Sequence, residues 1–488
     1  MSNGAAVHLR GSPWAGFALL ATAFYACAFI GASFVKTPLV YLLLTVFCFS
    51  CVAVLTWEFR KMNFDPFSPI VYLSGFYLIE FVIRNVIYLH DGQLAEFYGN
   101  AIDQRKYILA LSVGLVSYLV LLAGYYCPGI PGKVSRVLPS MLSRREEVSP
   151  WAFLPVMLFC FGLGLLGWKF RFDYFGGFGN YLAGFMQFKY ILVEDTQQSI
   201  AFVLWAMARD AMSIVVPLGY IFLFRGSRSI FLKGTWLACY VILLLLAVLS
   251  GYRNTILMTV MGIFLLHHYL VKPFGKRTIF VLLSGFILSI GLLTYLQSLL
   301  YILTWNWEEQ GASYALKGIL KTAVTFDALW GICSTFPDNV PFLKGASFID
   351  MITAVIPRFF WEAKKGIYGI NEITMLMGMP THFQMSVSMP GELLANFGIF
   401  GLAGMFFYGI LFRAVDMKKN RDAGWAIAYS VFISARWLVI FWMGFTGLAT
   451  TIYSLVPFYI VIRIVDILPR KRGVENKSAG LREENGEH

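Results

Sequence analysis

The sequence predicts an all-α polytopic membrane protein with about 12 transmembrane helices, and three observations lead there. Of 488 residues, 58% are hydrophobic and only 14% charged, a balance foreign to soluble domains. Uncharged apolar runs of about 20 residues recur, each long enough at 1.5 Å rise per residue to cross a hydrocarbon core about 30 Å thick. The runs are continuous, not alternating. They fit helices, which pair every backbone N–H and C=O internally, and not the strands of a barrel.

In order, the expected spans are 13–34, 37–57, 67–89, 107–126, 151–168, 199–223, 234–250, 255–271, 278–300, 391–412, 424–444 and 447–467. The first follows a single Arg10 with no small-residue cleavage site, so it reads as retained. An even number of crossings leaves both termini on one side, and the whole formal charge of +12 falls on the segments of that side. Arg60-Lys61, Arg144-Arg145, Lys276-Arg277, Lys418-Lys419 and Arg470-Lys471-Arg472 mark its turns. By the positive-inside rule that side is cytoplasmic, which implies a multi-pass membrane protein with both termini in the cytoplasm. The basic balance therefore reflects topology and membrane lipids with anionic headgroups, and nothing in it suggests nucleic acid.

Residues 1–467 form a single transmembrane domain on this reading, and the charged stretch 468–488 is expected to be a disordered cytoplasmic tail. Two outer segments are long, 169–198 and 301–390. Neither is expected to be structureless at that length; short amphipathic helices along the outer interface should roof a cavity. No fixed-period repeat is evident. Six of the seven cysteines lie in or beside spans and only Cys333 in a long loop, so neither a disulfide framework nor a metal site is indicated, and no cofactor is expected. His267 and His268 read as headgroup neighbours at an inner helix end. Gly391, Gly398, Gly401 and Gly404 read as permitting close helix packing.

Charges inside the spans demand reasons. An arginine at a helix centre costs about 2.5–3.5 kcal/mol on insertion scales. Arg84, the adjacent Arg209 and Asp210, Arg253 in SGYRN and Arg436 all fall in the outer half of their spans or at the outer edge. Plainer explanations exist for each. Glu80 stands four residues before Arg84, in position for an intrahelical ion pair. Arg209 and Asp210, about 100° apart on a helix, should not face each other, and Trp205 lies one turn back for stacking. Arg436 has no acidic residue in its own helix, and Arg253 is near enough to the helix end to snorkel. Several guanidinium groups at one depth nonetheless make a receptor for a multiply charged anion, such as a lipid diphosphate.

Three motifs carry a resemblance. SGYRNT (250–255) is similar to a Ser/Thr-Gly-x-Arg run in bacterial O-antigen polymerases and O-antigen ligases. IPRFFWEAKKG (356–366) resembles the Ile-Pro-Arg…Lys-Pro stretch of oligosaccharide repeat-unit polymerases, and MPGELLANFGIFGLAG (389–404) their Gly-Glu…Asn-Phe-Gly…Gly helix entry. Lys365 is followed by Gly where the family has Pro, and Tyr252 stands where a small residue is commoner. The resemblance implies a fold like the metal-independent branch of GT-C-type membrane glycosyltransferases. It also implies polymerisation of undecaprenyl-diphosphate-linked oligosaccharide repeat units at the periplasmic face. Arg253 and Arg358 become diphosphate ligands on this basis, with Arg209, Arg84 and Arg436 as further candidates and Glu392 at the mouth of the site. A salt bridge to Asp350 or Glu362 is the plainer role for Arg358. A repeat-unit flippase and a chain-length regulator are the implied partners.

Glycosyl transfer needs stabilisation of the departing diphosphate and a base for the attacking hydroxyl. His382, Glu392, Asp210 and the pair Glu308-Glu309 are the available bases; His382 titrates nearest neutrality, while Glu392 has an alternative as a helix N-terminal charge. An O-antigen ligase, transferring glycan to lipid A core, shares the arginine motif. A lipid-linked oligosaccharide flippase should carry polar groups through the full membrane depth, whereas the inner halves here are nearly free of charge. The metal-dependent glycosyltransferase branch should show acidic pairs in its first outer loop, and FVKTP has none.

Overall fold

The computed structural model describes residues 38–61, 64–91, 103–140, 148–183, 200–249, 253–279, 281–282, 285, 325–354, 370–378 and 386–469. Among these the secondary structure is helical. Six helices are long and apolar enough to cross a membrane: Pro38–Arg60, Pro69–Val86, Gln104–Tyr125, Pro150–Tyr174, Ile230–Leu249 and Met389–Lys419. Large apolar side chains stand outward on them, Trp57, Phe159 and Phe407 each at least 65% exposed. A helical membrane protein buries such groups in lipid, where water is not the solvent. The expected spans 13–34 and nearly all of 278–300 lie outside the described residues, as do the tail beyond Pro469 and most of the outer segments.

Local chemistry sets the helix starts. Asp103 accepts hydrogen bonds from the N–H groups of Arg105 and Lys106, and Asp422 from those of Gly424 and Trp425, satisfying donors that no helical turn reaches. Proline opens the helices at Pro69 and Pro150, where its missing N–H costs nothing.

The described chain divides into two compact units. The first comprises residues 1–137, 275–417 and 436–450. Its core is aromatic and hydroxylic: Phe47, Tyr77, Phe81 and Tyr118 pack at tilted angles with centroid distances of 4.8–5.9 Å, and Ser74 bonds Tyr118 at 2.7 Å. Helices Gln104–Tyr125 and Gly404–Lys419 meet backbone to backbone, since a Cβ on Gly409 would lie 2.7 Å from the Tyr125 nitrogen and one on Gly124 2.8 Å from the Phe406 carbonyl carbon. Small residues let membrane helices approach this closely.

Two turns in this unit are unlike ordinary helix ends. Helix Met389–Phe397 stops at Gly398 (φ 62°, ψ −153°), and a Cβ on Gly401 would lie 2.8 Å from the carbonyl carbon of Leu393. Eight residues of continuous helix would separate those groups by about 12 Å, so the chain folds back on itself. The same happens at Gly444 (φ 55°, ψ −131°), where a Cβ on Gly447 would lie 2.8 Å from Ile440 Cα. The runs are GIFGLA at 398–403 and GFTGLA at 444–449, a short echo that no periodic search of the sequence would register. The expected span 391–412 is thus interrupted within its first half, and a second break falls at Gly444, the last residue of the expected span 424–444.

Helix Thr325–Thr335, expected to lie along the interface, is instead buried from Thr325 through Trp330 and again at Ile332 and Cys333. Burial pushes the Cys333 thiol up to about 12. It can sit in the core because the polar side chains of its other face are paired within the protein: Asp327 with Arg84, and the Ser334 and Thr335 hydroxyls with Trp330 O and Gly331 O at 2.9 Å.

The second unit comprises residues 138–274, 418–435 and 451–488. Its helices Pro150–Tyr174 and Ile200–Gly219 run antiparallel: a Cβ on Gly164 would press on the Met212 side chain, and one on Gly219 on Met157 Sδ at 3.0 Å. Trp236 Nε1 donates to Val216 O at 2.9 Å, tying in helix Ile230–Leu249. His267 and His268 both have protein partners. His267 Nδ1 bonds Tyr220 Oη at 2.7 Å and His268, buried, accepts from Phe274 N at 3.0 Å; aromatic neighbours hold both in the packing.

Candidate functional site

The expected site residues divide between the two units. In the first, Arg84 Nη2 forms an ion pair with Asp327, 243 residues away, and each side chain is 2% exposed. Glu80 accepts from Thr325 N at 3.3 Å and from Trp442 Nε1 at 3.4 Å. The geometry follows from the helix beginning near Thr325. Its N-terminal amides attract the Glu80 carboxylate and its acidic first turn attracts the guanidinium. Burial pushes the Asp327 carboxyl upward, and the Arg84 cation opposes the shift. This corrects the expectation for Arg84, whose buried pairing with a carboxylate takes it out of the diphosphate set.

Glu392 is likewise not at the mouth of a site. Its side chain is fully buried; one carboxylate oxygen accepts from Phe445 N, and the other from Thr446 Oγ1 and Ser347 Oγ, both at 3.3 Å. Phe445 and Thr446 open the helical segment after the Gly444 pivot, so Glu392 supplies the acceptor that a broken helix lacks. The bonds run both ways: Ser388 N donates to Trp442 O, on the near side of the pivot, at 2.7 Å. The other pivot is closed similarly. Leu343 N and Lys344 N donate to Ala395 O and Asn396 O at 3.0 and 2.8 Å, and Asn396 Nδ2 donates to Ser347 Oγ and Glu392 O, each at 2.8 Å. Irregular backbone among membrane helices persists when protein groups pair it in this way. Arg436 is half-buried at the start of the helix that leads to Gly444, next to Trp437, which packs edge-on against Phe412 at 4.6 Å.

The second unit holds Arg209 and Asp210 together. Arg209 Nε and Nη2 donate to Asp210 Oδ1 at 3.2 and 3.0 Å, with both side chains partly exposed. Adjacent helical residues were expected to diverge. They meet because the arginine stem is long enough to wrap about the helix and bring its fork to the neighbouring carboxylate. Asp210 as a base therefore comes with a cation in contact. Arg253 is the first residue of helix Arg253–Leu266, four positions after helix Ile230–Leu249 ends. Its side chain, the Trp205 side chain, and all of Arg358, His382 and Glu308-Glu309 lie outside the described residues.

One residue at this end of the second unit had not been singled out. Arg171, in the last turn of helix Pro150–Tyr174, is buried, its guanidinium 5.2 Å from the Trp168 ring and 5.3 Å from the Tyr181 ring. The spacing Trp168-x-x-Arg171 is a readable stacking signal, but the second ring arrives only through the turn at Gly176 and Gly177, both at positive φ. Among the described residues no group of three or more His, Cys, Asp or Glu is placed to hold a metal ion. Comparison with protein-family models, with curated proteins and with solved structures finds no match to this chain.

Proposed function

We propose that this chain is a membrane glycosyltransferase that polymerises undecaprenyl-diphosphate-linked oligosaccharide repeat units at the periplasmic face of a bacterial inner membrane. The observation that carries the reading is the run LSGYRNT. It closes one apolar helix at Leu249 and opens the next at Arg253, so a guanidinium belongs to the first position of a helix whose N-terminal amides attract the same anion. The ordered resemblance of three motifs and the helical membrane fold support it.

In the proposed reaction a hydroxyl oxygen of the incoming repeat unit attacks the anomeric carbon of the growing glycan. The bond from that carbon to the diphosphate oxygen breaks, the lipid diphosphate leaves, and the hydroxyl proton passes to a base. Arg253 and Arg358 would stabilise the leaving group, with Arg209 beside them in role, and His382 and Asp210 are the base candidates. Glu392, whose oxygens are occupied by Phe445, Thr446 and Ser347, is assigned to architecture.

A second reading has one observation in its favour. The two glycine-broken helical segments of the first unit are a feature of transporters, in which interrupted helices line a substrate path. Deleting the gene and resolving surface glycan on a gel separates the readings. Loss of the chain-length ladder with retention of single units supports the polymerase. Loss of all surface glycan supports a lipid-linked oligosaccharide transporter, and polymer accumulating on its lipid carrier supports a ligase. Arg253→Ala, normally inserted, is expected to give single units only; an undiminished ladder overturns the assignment.

A further inference from the structure

We infer that the end of the first unit where helices Pro38–Arg60 and Gln104–Tyr125 terminate is a docking surface for anionic phospholipid of the adjoining leaflet, an inference independent of the glycosyltransferase reading. Position is the first observation. Helix Gly404–Lys419 ends beside those two: Tyr126 Oη donates to Glu58 Oε1 at 2.7 Å and Tyr125 Oη to Asp416 Oδ2 at 2.8 Å. All three helices belong to segments long and apolar enough to cross a membrane, so their common end meets the headgroup layer. Trp57, Phe59 and Tyr126 stand 65%, 48% and 42% exposed there, as aromatic side chains do at a membrane–water interface.

The second observation is charge. Arg60, Lys133, Arg136, Lys276 and Arg277 are exposed at this end. Lys276 Nζ donates to Phe59 O at 3.1 Å and lies 4.5 Å from the Phe59 ring, which brings Arg277 close to the end of helix Pro38–Arg60. The described carboxylates here are engaged within the protein. Glu58 and Asp416 are buried; Lys61 and Tyr126 donate to the first, Arg413 and Tyr125 to the second. Asp65 Oδ1 accepts from Phe67 N at 3.0 Å. The exposed charge is therefore positive.

The third is a short helix suited to lie in that layer. After Tyr125 the chain turns at Gly129, whose φ is 79°, into helix Ile130–Val137. A Cβ on Gly132 would lie 3.6 Å from Met417 Cε, which keeps this helix against the end of Gly404–Lys419. Pro131 and Ser135 are buried against the protein. At about 100° per residue, Ile130, Val137, Lys133 and Arg136 follow one another around the other side, all exposed, Val137 at 84%. An apolar edge beside a basic one is the pattern of a helix that lies in an anionic lipid interface.

The test uses purified full-length protein in detergent, titrated with phosphatidylglycerol, with phosphatidylethanolamine of the same acyl chains and with inorganic phosphate, and read by native mass spectrometry. Wild type is expected to hold phosphatidylglycerol about tenfold or more tightly than phosphatidylethanolamine, a preference that shrinks as salt rises. One cation beside an anionic headgroup is worth about fivefold in binding. Lys133→Gln should therefore weaken phosphatidylglycerol about fivefold, and Lys133→Gln with Arg136→Gln about 25-fold. Binding of phosphatidylethanolamine and the thermal midpoint should not change, because both side chains are exposed. If that double variant is unstable, Arg60→Gln with Arg277→Gln makes the same test. Arg105→Gln, which removes an exposed cation at the opposite end of helix Gln104–Tyr125, should bind as wild type does. Equal wild-type affinity for the two lipids, a folded double variant with wild-type binding, or an equal loss in Arg105→Gln overturns the inference. So does retention of inorganic phosphate in place of the lipid, which would mark a site for a small anion and not a lipid surface.

Discussion

Replacing Asp327 by alanine tests whether Arg84 is a structural cation. The two side chains are in direct contact and each is 2% exposed. At a charge-assisted separation of about 2.8 Å and an effective dielectric constant near 20, their attraction is about 6 kcal/mol. Withdrawing the two ions from water costs several kcal/mol each, so the intact pair is close to break-even. Removing the carboxylate alone is different, because Arg84 keeps its desolvation cost and loses its counter-ion, a loss of about 3–5 kcal/mol. Asp327→Leu combined with Arg84→Met removes both charges and is expected to recover most of that. Titration of the purified protein with SDS, read by tryptophan fluorescence, measures the series. A parent-like Asp327→Ala, within about 1 kcal/mol, would mean that this carboxylate does not confine the guanidinium, and Arg84 would rejoin the diphosphate candidates.

Other substitutions probe the pivots and the core. Glu392→Ala leaves Phe445 N, Thr446 and Ser347 without their shared acceptor and should cost about 3 kcal/mol or more. Glu392→Gln, which keeps an acceptor, should retain surface polymer, and a lost ladder in that variant would return Glu392 to catalysis. Gly444→Ala forces a side chain into φ 55°, ψ −131° and toward the Glu392 carboxylate, a loss of about 1–3 kcal/mol from backbone strain alone. Gly75→Ala, where an added Cβ meets nothing within 4 Å, is the neutral control in the same SDS titration. Maleimide at neutral pH should label half-exposed Cys127 well before buried Cys333, whose thiol is pushed up to about 12; equal rates would contradict the buried placement of helix Thr325–Thr335.

The helical membrane class was legible because it depends on composition and run length, which survive any tertiary arrangement. The apolar runs around 37–57, 107–126, 151–168 and 234–250 became helices within a few residues of the expected bounds, apart from the extension of the third through Tyr174. What stayed illegible depends on meetings across the chain. Glu80 and Arg84 looked like each other's partners at i,i+4, yet Arg84 pairs with Asp327 and Glu80 bonds Thr325, because a helix more than 240 residues away offers its positive end to one and its acidic turn to the other. Glu392 looked like a site carboxylate for the same reason: nothing local reveals that Phe445 needs an acceptor. The glycines of GIFGLAG (398–404) read as packing residues, which Gly401 and Gly404 are, while Gly398 is needed for its positive φ. Arg171 escaped notice because only one of its two aromatic neighbours is adjacent in sequence.

The nine-residue helix Met389–Phe397 has a consequence for how the chain is made. At about 13 Å it reaches less than half way across a hydrocarbon core of about 30 Å. It crosses only together with the apolar run that continues through Lys419. Its Glu392 is an acceptor for donors synthesised some fifty residues later, the Phe445 amide and the Thr446 hydroxyl. Until those residues emerge, that carboxylate has neither water nor its eventual donors. Assembly of this region must then await the downstream hairpin, making residues 389–450 the late-settling part of biogenesis and the place where a stalled or truncated chain would expose itself to quality-control proteases.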